Sequence, residues 1–171
     1  MSDHLPDAPG TYALHLFLPK PVELDVGRLG RFHFRAGELI YLGSAFGPGG
    51  LHARLGRHLH GEGNFRWHID YVKPATQVMG YWATLIPLHL ECRWTQALIS
   101  LPGAYVPARG LGASDCRNGC PAHIVAFSEL DRRAIAERLE QAVLEIAPPG
   151  QSHPYPMISA QFSGWGMAHM R

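Results

Sequence analysis

The chain has 171 residues, of which 46% are hydrophobic, and its formal net charge is +1 at pH 7. This length and composition predict one globular domain with a sizeable core, and they leave room for an additional arm. The near-zero charge excludes a global positive field, so any binding of nucleic acid must come from a local patch. No apolar run approaches the roughly 20 residues that span a bilayer, so we expect no membrane partner.

The cysteines and the first ten residues both bear on the compartment. The three cysteines are Cys92, Cys116 and Cys120. An odd number without a secretory leader favours a reducing cytoplasm over a disulfide framework. The N-terminal sequence MSDHLPDAPG lacks the basic start and apolar centre of a signal peptide. We therefore expect a cytoplasmic protein.

Hydrophobic periodicity and turn residues predict an α/β protein of the α+β type, with a small, mainly antiparallel sheet flanked by helices. The predicted strands are residues 11–18, 22–25, 30–35, 39–43, 78–86 and 123–127. The predicted helices are residues 50–60, 88–100 and 131–146, the last with Ser128 or Asp131 as its N-cap. The pattern of residues 64–72 does not distinguish a helix from a strand.

The composition changes at Pro148, after which proline, glycine and serine recur without a period. We therefore expect a domain over residues 1–147 and a C-terminal arm over residues 148–171. The arm is expected to be either disordered or docked, on the domain or on a partner. The oligomeric state does not follow from the sequence.

Residues 39–59, reading LIYLGSAFGPGGLHARLGRHL, combine a strand, a glycine-rich turn and a helix. A flexible loop that leads into a helix N-terminus is a common way to bind an anion. The turn is not a Walker A loop, since no Gly-Lys-Ser/Thr follows, and a plain flexible connection is the alternative. Arg54 and His58 lie one turn apart and share one edge of the helix.

Several motifs in this order resemble the GIY-YIG nuclease superfamily. They are Gly10-Thr11-Tyr12, Tyr41-Leu42-Gly43, Gly50-Leu51, Arg54 with His58, Arg66 to Tyr71 (RWHIDY), Glu91-Cys92, Ser114-Asp115-Cys116, Cys120 and His123. The set looks like a branch of short GIY-YIG-like domains of unknown function, which occur alone or beside endonuclease III-type repair enzymes. Thr11 and Leu42 replace the usual isoleucines, and the asparagine that many relatives carry after the glutamate has no clear equivalent.

The resemblance implies a role for five residues. Tyr12 and Tyr41 would be the paired tyrosines, and Arg54 would contact the scissile phosphate. His58 would support proton transfer or orientation. Glu91 would bind a single divalent metal ion, Mg²⁺ or Mn²⁺. The function implied is that of a metal-dependent DNA endonuclease in repair or processing, with DNA as partner and a repair protein as a second partner.

The general base has two candidates. An ordinary tyrosine titrates near 10, about three pH units above neutrality, so ionising it costs roughly 4 kcal/mol. A nearby arginine and a divalent ion would offset that cost. The ordinary pKa of histidine, about 6.5, needs no such help. The resemblance favours Tyr12 as the base, and physical chemistry alone favours His58.

Each of these residues also has a purely structural interpretation. Tyrosines are ordinary packing residues on strands, and Arg54 with His58 fits a solvated helix edge. Glu91 in the first turn of a helix complements the helix dipole without binding metal. An accessory module that binds DNA structures without turnover therefore stands beside the nuclease as a second hypothesis.

The remaining polar clusters suggest DNA contacts and a second metal site. Arg57, Arg66 and His68 are the candidate DNA-binding residues, and the stretch WHIDY around His68 could be a substrate wall or hold a buried His–Asp hydrogen bond. Cys116, Cys120 and His123 are candidate zinc ligands, with Asp115 or Cys92 as a fourth. Because only one cysteine pair and a histidine are visible, loop thiols and a packed histidine are the favoured interpretation over a zinc-binding interaction domain.

Overall fold

A computed structural model describes residues 5–61, 64–146 and 155–162. Within this part the chain forms a five-stranded antiparallel sheet in the order β6-β4-β1-β5-β7, a separate two-stranded hairpin and four α-helices. The strands are β1 Gly10–Leu18, β2 Val22–Val26, β3 Gly30–Phe34, β4 Gly37–Ala45, β5 Gln77–Thr84, β6 Ile124–Phe127 and β7 Ile158–Gln161. The helices are α1 Gly50–His60, α2 His68–Val72, α3 Glu91–Ile99 and α4 Arg132–Leu144. The predicted α+β class is confirmed.

The central strand β1 is buried on both faces, and this decides the layering. Because successive side chains point to opposite faces of a strand, Tyr12 and Leu14 face one side and Thr11 and Ala13 the other. The first side packs against α1, α2 and the β2–β3 hairpin, and the second against α3 and α4. The sheet is therefore the middle layer of three.

Helix α3 begins at Glu91, whereas the sequence predicted a start at Leu88. The hydroxyl group of Thr11 explains the difference, because it accepts from the backbone N–H of Leu90 at 3.2 Å and donates to the carbonyl of Leu88 at 3.3 Å. This tie holds residues 88–90 in a non-helical approach to the sheet. It also fixes Glu91 at the first position of α3, beside the start of β1.

Helix α4, residues 64–72 and the predicted C-terminal arm also bear on the predicted boundaries. Asp131 caps α4, as one of the two predicted N-caps, by accepting from the backbone N–H groups of Arg133 and Ala134. Within residues 64–72, His68–Val72 forms α2. From the predicted C-terminal arm, Ile158–Gln161 forms β7 and pairs with β5; residues 147–154 and 163–171 lie outside the described part. No helix of the described part is long and apolar enough to cross a bilayer.

Candidate functional site

A pocket of about 160 Å³ opens at the end of the sheet where β1 and β4 meet α1 and α3. Four of the five predicted catalytic residues line it, each from a different element: Tyr12 from β1, Tyr41 from β4, Arg54 from α1 and Glu91 from α3. Residues distant in sequence thus converge on one polar cavity.

The two tyrosines approach each other because glycines stand opposite their rings. Tyr12 pairs with Gly43 across the β1–β4 ladder, and a Cβ atom at Gly43 would lie 2.5 Å from the phenolic oxygen of Tyr12. Likewise, a Cβ atom at Gly112 would lie 2.9 Å from the ring of Tyr41. Both rings are buried, and their centroids are 6.4 Å apart.

His58, the fifth predicted catalytic residue, lies behind the pocket. Its side chain is 1% exposed, and its Nε2 atom is 3.0 Å from the phenolic oxygen of Tyr12. Its Nδ1 atom is 4.0 Å from Oδ1 of Asp70 and has no hydrogen-bond partner within the described residues. Its hydrogen-bond contact with Tyr12 is therefore the polar connection between His58 and the pocket.

Burial shifts the pKa values of Tyr12, Tyr41 and His58 in the direction that favours the neutral form of each group. It raises the pKa of Tyr12 well above its ordinary value, with a further contribution from Tyr41. It also raises the pKa of Tyr41, while Arg54 acts in the opposite direction on both tyrosines. Burial lowers the pKa of His58 to about 3. At neutral pH the cluster is therefore two phenols and a neutral imidazole.

Arg54 supplies the positive charge in the pocket. Its Nη1 atom donates to the carbonyl oxygen of Ser44 at 2.6 Å, and its guanidinium group lies over the ring of Trp67 at 4.5 Å from the centroid. These contacts fix the position of the guanidinium group at the pocket wall. The remaining N–H groups of a guanidinium form a fork that matches phosphate oxygens.

The predicted DNA-binding residues differ in what they contact. Arg57 binds both carboxylate oxygens of Asp70, at 2.9 and 3.0 Å, and is only 17% exposed. His68 accepts from the backbone N–H of Gly112 at 3.2 Å, which joins α2 to the loop around this pocket residue. Arg66 is exposed at the edge of the same cluster. The WHIDY stretch thus holds its aspartate on Arg57 instead of on the neighbouring His68.

Glu91 is the acidic group of the pocket and is held by a serine. The hydroxyl group of Ser44 donates to Oε1 of Glu91, and Nδ1 of His89 lies 3.1 Å from the same hydroxyl oxygen. His89 is also 3.6 Å from Oε1 of Glu91 and stacks on Phe46 with the ring centroids 4.1 Å apart. The hydroxyl oxygen of Ser44 and the carboxylate oxygens of Glu91 are hard ligands of the kind that Mg²⁺ and Mn²⁺ prefer.

The N-terminus of α1 does not form the anion site that the glycine-rich turn suggested. The backbone N–H groups of Leu51 and His52 donate to the carbonyl oxygens of Ala8 and Pro6, at 3.0 and 3.1 Å. The amides in the first turn of α1 are thus taken up by the segment that leads into β1. The positive side of the pocket is Arg54, one turn further along the helix.

A second cluster of polar side chains lies beside the pocket. Cys92, Cys116, Cys120 and His123 place one ligand atom each within 4.8 Å of one another, so together they could hold a metal ion. The sequence had identified three of them and named Cys92 only as an alternative to Asp115. Asp115 instead lines the pocket.

The sequence interpretation gave no role to Ser44, and it named Trp67 and Asp70 only within the WHIDY stretch, as a substrate wall or a His–Asp hydrogen bond; Trp67 does line the pocket. Ser44 directly follows the Tyr41-Leu42-Gly43 motif, and on alternation its side chain points to the face away from the tyrosines, towards α3. Its position directly after the second motif was the signal from which the sequence could have identified Ser44. Nothing in the spacing of Trp67 and Asp70 indicated that they would pack beside Arg54 and His58.

A comparison with protein-family models matches residues 11–146 to a family described as a domain of unknown function, DUF123. No curated protein and no solved structure matches the chain. The match covers both the pocket and the Cys/His cluster.

Proposed function

We propose that this chain, which belongs to the DUF123 family, is a metal-dependent DNA endonuclease of the GIY-YIG type that hydrolyses phosphodiester bonds. The single observation that carries the proposal is the pocket in which Tyr12, Tyr41, Arg54 and Glu91 meet. The resemblance of the motifs to GIY-YIG nucleases adds the reaction class. Hydrolysis of a phosphodiester needs a positioned water molecule, a cationic clamp and a route for the proton, and the pocket has a residue for each.

The phosphate would bind against Arg54. Its guanidinium group is oriented by Ser44 and Trp67 before any substrate arrives, so little conformational entropy is lost on binding. The exposed Arg66, whose guanidinium group is 5.9 Å from the centroid of the same tryptophan, extends the positive surface towards neighbouring phosphates. Arg57 would act indirectly, by fixing Asp70.

Glu91, Ser44 and Asp115 would hold one divalent cation, Mg²⁺ or Mn²⁺. The donors are oxygen atoms, and Mg²⁺ sites often use one or two carboxylates with water and substrate oxygens as the other ligands. When bound, such an ion acts as a Lewis acid on the phosphoryl oxygens and lowers the pKa of a bound water. The Ser44 hydroxyl keeps one oxygen of Glu91 fixed and leaves the other for the ion.

The proton would leave through Tyr12 and His58. Because burial raises the pKa of Tyr12, a stable phenolate is unfavourable. A relay avoids it: the phenolic oxygen takes a proton from the attacking water while its own proton passes to Nε2 of His58. The bridging P–O bond breaks and the leaving oxygen takes a proton from a solvent water molecule, so that a phosphate monoester and a hydroxyl group remain. The proton on Nε2 of His58 returns to solvent through Tyr12, and one water molecule is consumed in total.

The histidine in this relay is a weak base in the free protein. With a pKa of about 3, protonating His58 at pH 7 costs about 5 kcal/mol. Asp70, at 4.0 Å from Nδ1, and the negative charge of a bound phosphate both act to reduce that cost. Tyr12 is therefore the group that contacts water, and His58 is its proton acceptor.

The second candidate function is an accessory module that binds DNA structures without cutting them. The observation that favours it is the set of shifted pKa values, since neither tyrosine nor His58 is ready to accept a proton in the free protein. Such a module would still use Arg54 and Arg66 for phosphate contacts. A repair protein as its partner follows from the resemblance alone.

For the Cys/His cluster we propose zinc, since three thiolates and one imidazole form a complete tetrahedral ligand set. This set makes zinc the better interpretation than free loop thiols, in contrast to the sequence-based expectation. Reduced thiols in ligand positions and DNA as substrate both agree with a cytoplasmic location. A zinc-dependent interaction domain is the third candidate, and it does not exclude the other two.

Purified protein incubated with supercoiled, single-stranded and branched DNA tests the proposal. Each DNA is assayed with Mg²⁺, with Mn²⁺ and with a chelator, beside the variants Tyr12→Phe and Glu91→Gln. We expect the wild type to cleave at least one of the DNAs in a metal-dependent manner and both variants to lose cleavage.

Two matched controls accompany these variants. Tyr71→Phe removes a hydroxyl group from a tyrosine that packs on Phe65 outside the pocket, and Glu137→Gln changes a carboxylate on the exposed side of α4. Both should cleave like the wild type. Equal cleavage by Tyr12→Phe and wild type would contradict the mechanism, and salt-sensitive binding of DNA without cleavage would support the accessory module instead.

A further inference from the structure

Two pairs of ligand atoms in the Cys/His cluster already have nearly the spacing of a tetrahedral metal centre, and all four atoms lie within 4.8 Å of one another. The Sγ atom of Cys92 is 3.4 Å from Sγ of Cys116 and 3.4 Å from Nε2 of His123. In a tetrahedral zinc centre, bond lengths of about 2.3 Å to sulfur and about 2.0 Å to nitrogen place the ligand atoms about 3.5–3.8 Å apart. The observed distances require adjustments of a few tenths of an ångström at most for these two pairs.

The loop that carries two of the ligands turns sharply between them. Gly119, directly before Cys120, has a φ angle of +70°, a conformation that glycine adopts more readily than other residues. The turn lets Cys116 and Cys120 both place their sulfur atoms within 4.8 Å of the other ligand atoms.

Three of the four ligands are pocket residues or their immediate neighbours. Cys92 follows Glu91, Cys116 follows Asp115, and His123 itself lines the pocket. His123 is also tied into the sheet and the loop, because its carbonyl oxygen accepts from Leu42 and its N–H donates to Leu111, both at 2.8 Å. The cluster thus joins the start of α3, the loop that carries Cys116 and Cys120, and the start of β6. It lies directly behind Glu91 and Asp115, which form the acidic wall of the pocket.

We infer that a zinc ion held by Cys92, Cys116, Cys120 and His123 fixes the acidic wall of the pocket, the residues Glu91 and Asp115, in place. All four ligand positions are filled by the protein, so the ion is structural and leaves none open for substrate. α3 is only nine residues long, and its first turn carries both Cys92 and Glu91. An ion that immobilises one of these neighbours restrains the other. The inference deepens the proposed function, because Glu91 is its metal-binding residue.

The zinc content of three proteins tests the ligand set: the full-length wild type, Cys120→Ser and Cys120→His. Cys120 is chosen because it is the ligand furthest in sequence from any pocket residue. We expect about one zinc per wild-type chain, less than a tenth of that in Cys120→Ser, and retention in Cys120→His, which keeps four ligands. A wild-type protein without bound zinc after purification in zinc-supplemented medium would overturn the inference.

Amide hydrogen exchange tests the restraint separately. In wild-type protein stripped of zinc by a chelator, we expect at least tenfold faster exchange in the first turn of α3 and in residues 110–123. The amides of α4, which packs on the other side of α3, should change by less than twofold. Equal acceleration in α4 would indicate global loosening, and unchanged exchange near Glu91 would show that the ion does not restrain the wall; either result overturns the inference.

The failure of the proposed function would look different. A wild type that holds zinc and shows the local exchange effect, yet cleaves no DNA, would refute the nuclease and leave the zinc centre established. A wild type that cleaves DNA at the same rate after its zinc is removed would refute the restraint and leave the nuclease intact.

Discussion

The Nε2 atom of His58 lies 3.0 Å from the phenolic oxygen of Tyr12, and both side chains are at most 1% exposed. This contact joins the first predicted motif to the first helix. In the proposed mechanism, it lets His58 accept a proton without contacting the substrate. It also predicts that the hydroxyl oxygen of Tyr12 is the atom of this pair on which cleavage depends.

Replacing Tyr12 by phenylalanine removes only the hydroxyl group and keeps the ring over Gly43. We expect cleavage to fall by about 10²–10⁴-fold, the usual contribution of a positioned acid or base. Unfolding should become easier by only about 0.5–1.5 kcal/mol, since one hydrogen bond is lost. DNA cleavage assays and urea denaturation measure the two effects. A loss of activity that merely follows a loss of folding would contradict the role of the hydroxyl group.

The buried His58 predicts how stability depends on pH. In the unfolded chain a histidine binds a proton below about pH 6.5, whereas the pKa of His58 in the folded protein is about 3. Between these values the unfolded state therefore binds more protons, so the free energy of unfolding falls as the pH falls from 6.5 towards 3. The contribution of His58 to the slope is at most about 1.4 kcal/mol per pH unit.

NMR of the imidazole ring checks this directly. The ring of His58 should remain neutral from pH 8 down to pH 5 in the free protein. His15 adds to the slope in the same direction, because burial lowers its pKa as well, although Glu38 opposes the shift. A titration of His58 with a midpoint near 6.5 would contradict the buried contact.

Arg54 and Arg57 form a matched pair for mutagenesis, because both guanidinium groups lie over Trp67, at 4.5 and 4.7 Å from the centroid. Arg54→Lys keeps the charge but loses the fork, and we expect about a 10²-fold loss of cleavage with little change in stability. Arg57→Gln leaves Asp70 without its bidentate partner and should cost about 1.5–3 kcal/mol of stability. If Arg57→Gln lost cleavage and Arg54→Lys lost only stability, the phosphate contact would belong to Arg57.

The glycine of the second motif offers a test of the packing. In Gly43→Ala the new methyl group would meet the phenol of Tyr12 at 2.5 Å, so we expect a loss of about 1–3 kcal/mol and displacement of the tyrosine. Gly56→Ala is the control, since nothing lies within 4 Å of its Cβ position in the interior of α1. That change should raise stability by about 0.4–1 kcal/mol. Denaturation curves of Gly43→Ala and Gly56→Ala measure the free energy of unfolding of each variant, and equal stability of Gly43→Ala and the wild type would contradict the close packing.

The sequence predicted the parts of the fold that are encoded locally. The alternation in β1 and β4 and the leucine stripe of α1 placed these elements within a few residues, because one buried face imposes a period on each of them. It misplaced the start of α3, because the tie between Thr11 and residues 88–90 joins positions 77 and 79 apart in the chain. No local pattern reveals such a contact.

The same limit applies to the site. Tyr12, Tyr41, Arg54 and Glu91 could be named from motifs, and the structure places them around one pocket. Cys92 could be named only as an alternative to Asp115 for the fourth ligand, since it is 24 residues from Cys116 and only the packing of α3 against the loop brings them together. Burial of His58 was equally invisible, although its position four residues after Arg54 was known. The spacing of residues shows which face of a helix they share, and only the packing of the fold shows how deeply that face is buried.

The rate of DNA cleavage as a function of Mn²⁺ concentration, measured for the wild type and for Glu91→Gln, tests the central claim most directly. Glu91→Gln keeps the shape of the side chain and its contact with Ser44 but removes the charge that would hold the ion. We predict a saturable, metal-dependent rate for the wild type and at least a 10²-fold lower rate for Glu91→Gln at every concentration, with unchanged zinc content. Equal rates for the two proteins, or a rate independent of Mn²⁺, would contradict the assignment of this pocket as a metal-dependent phosphodiester hydrolase.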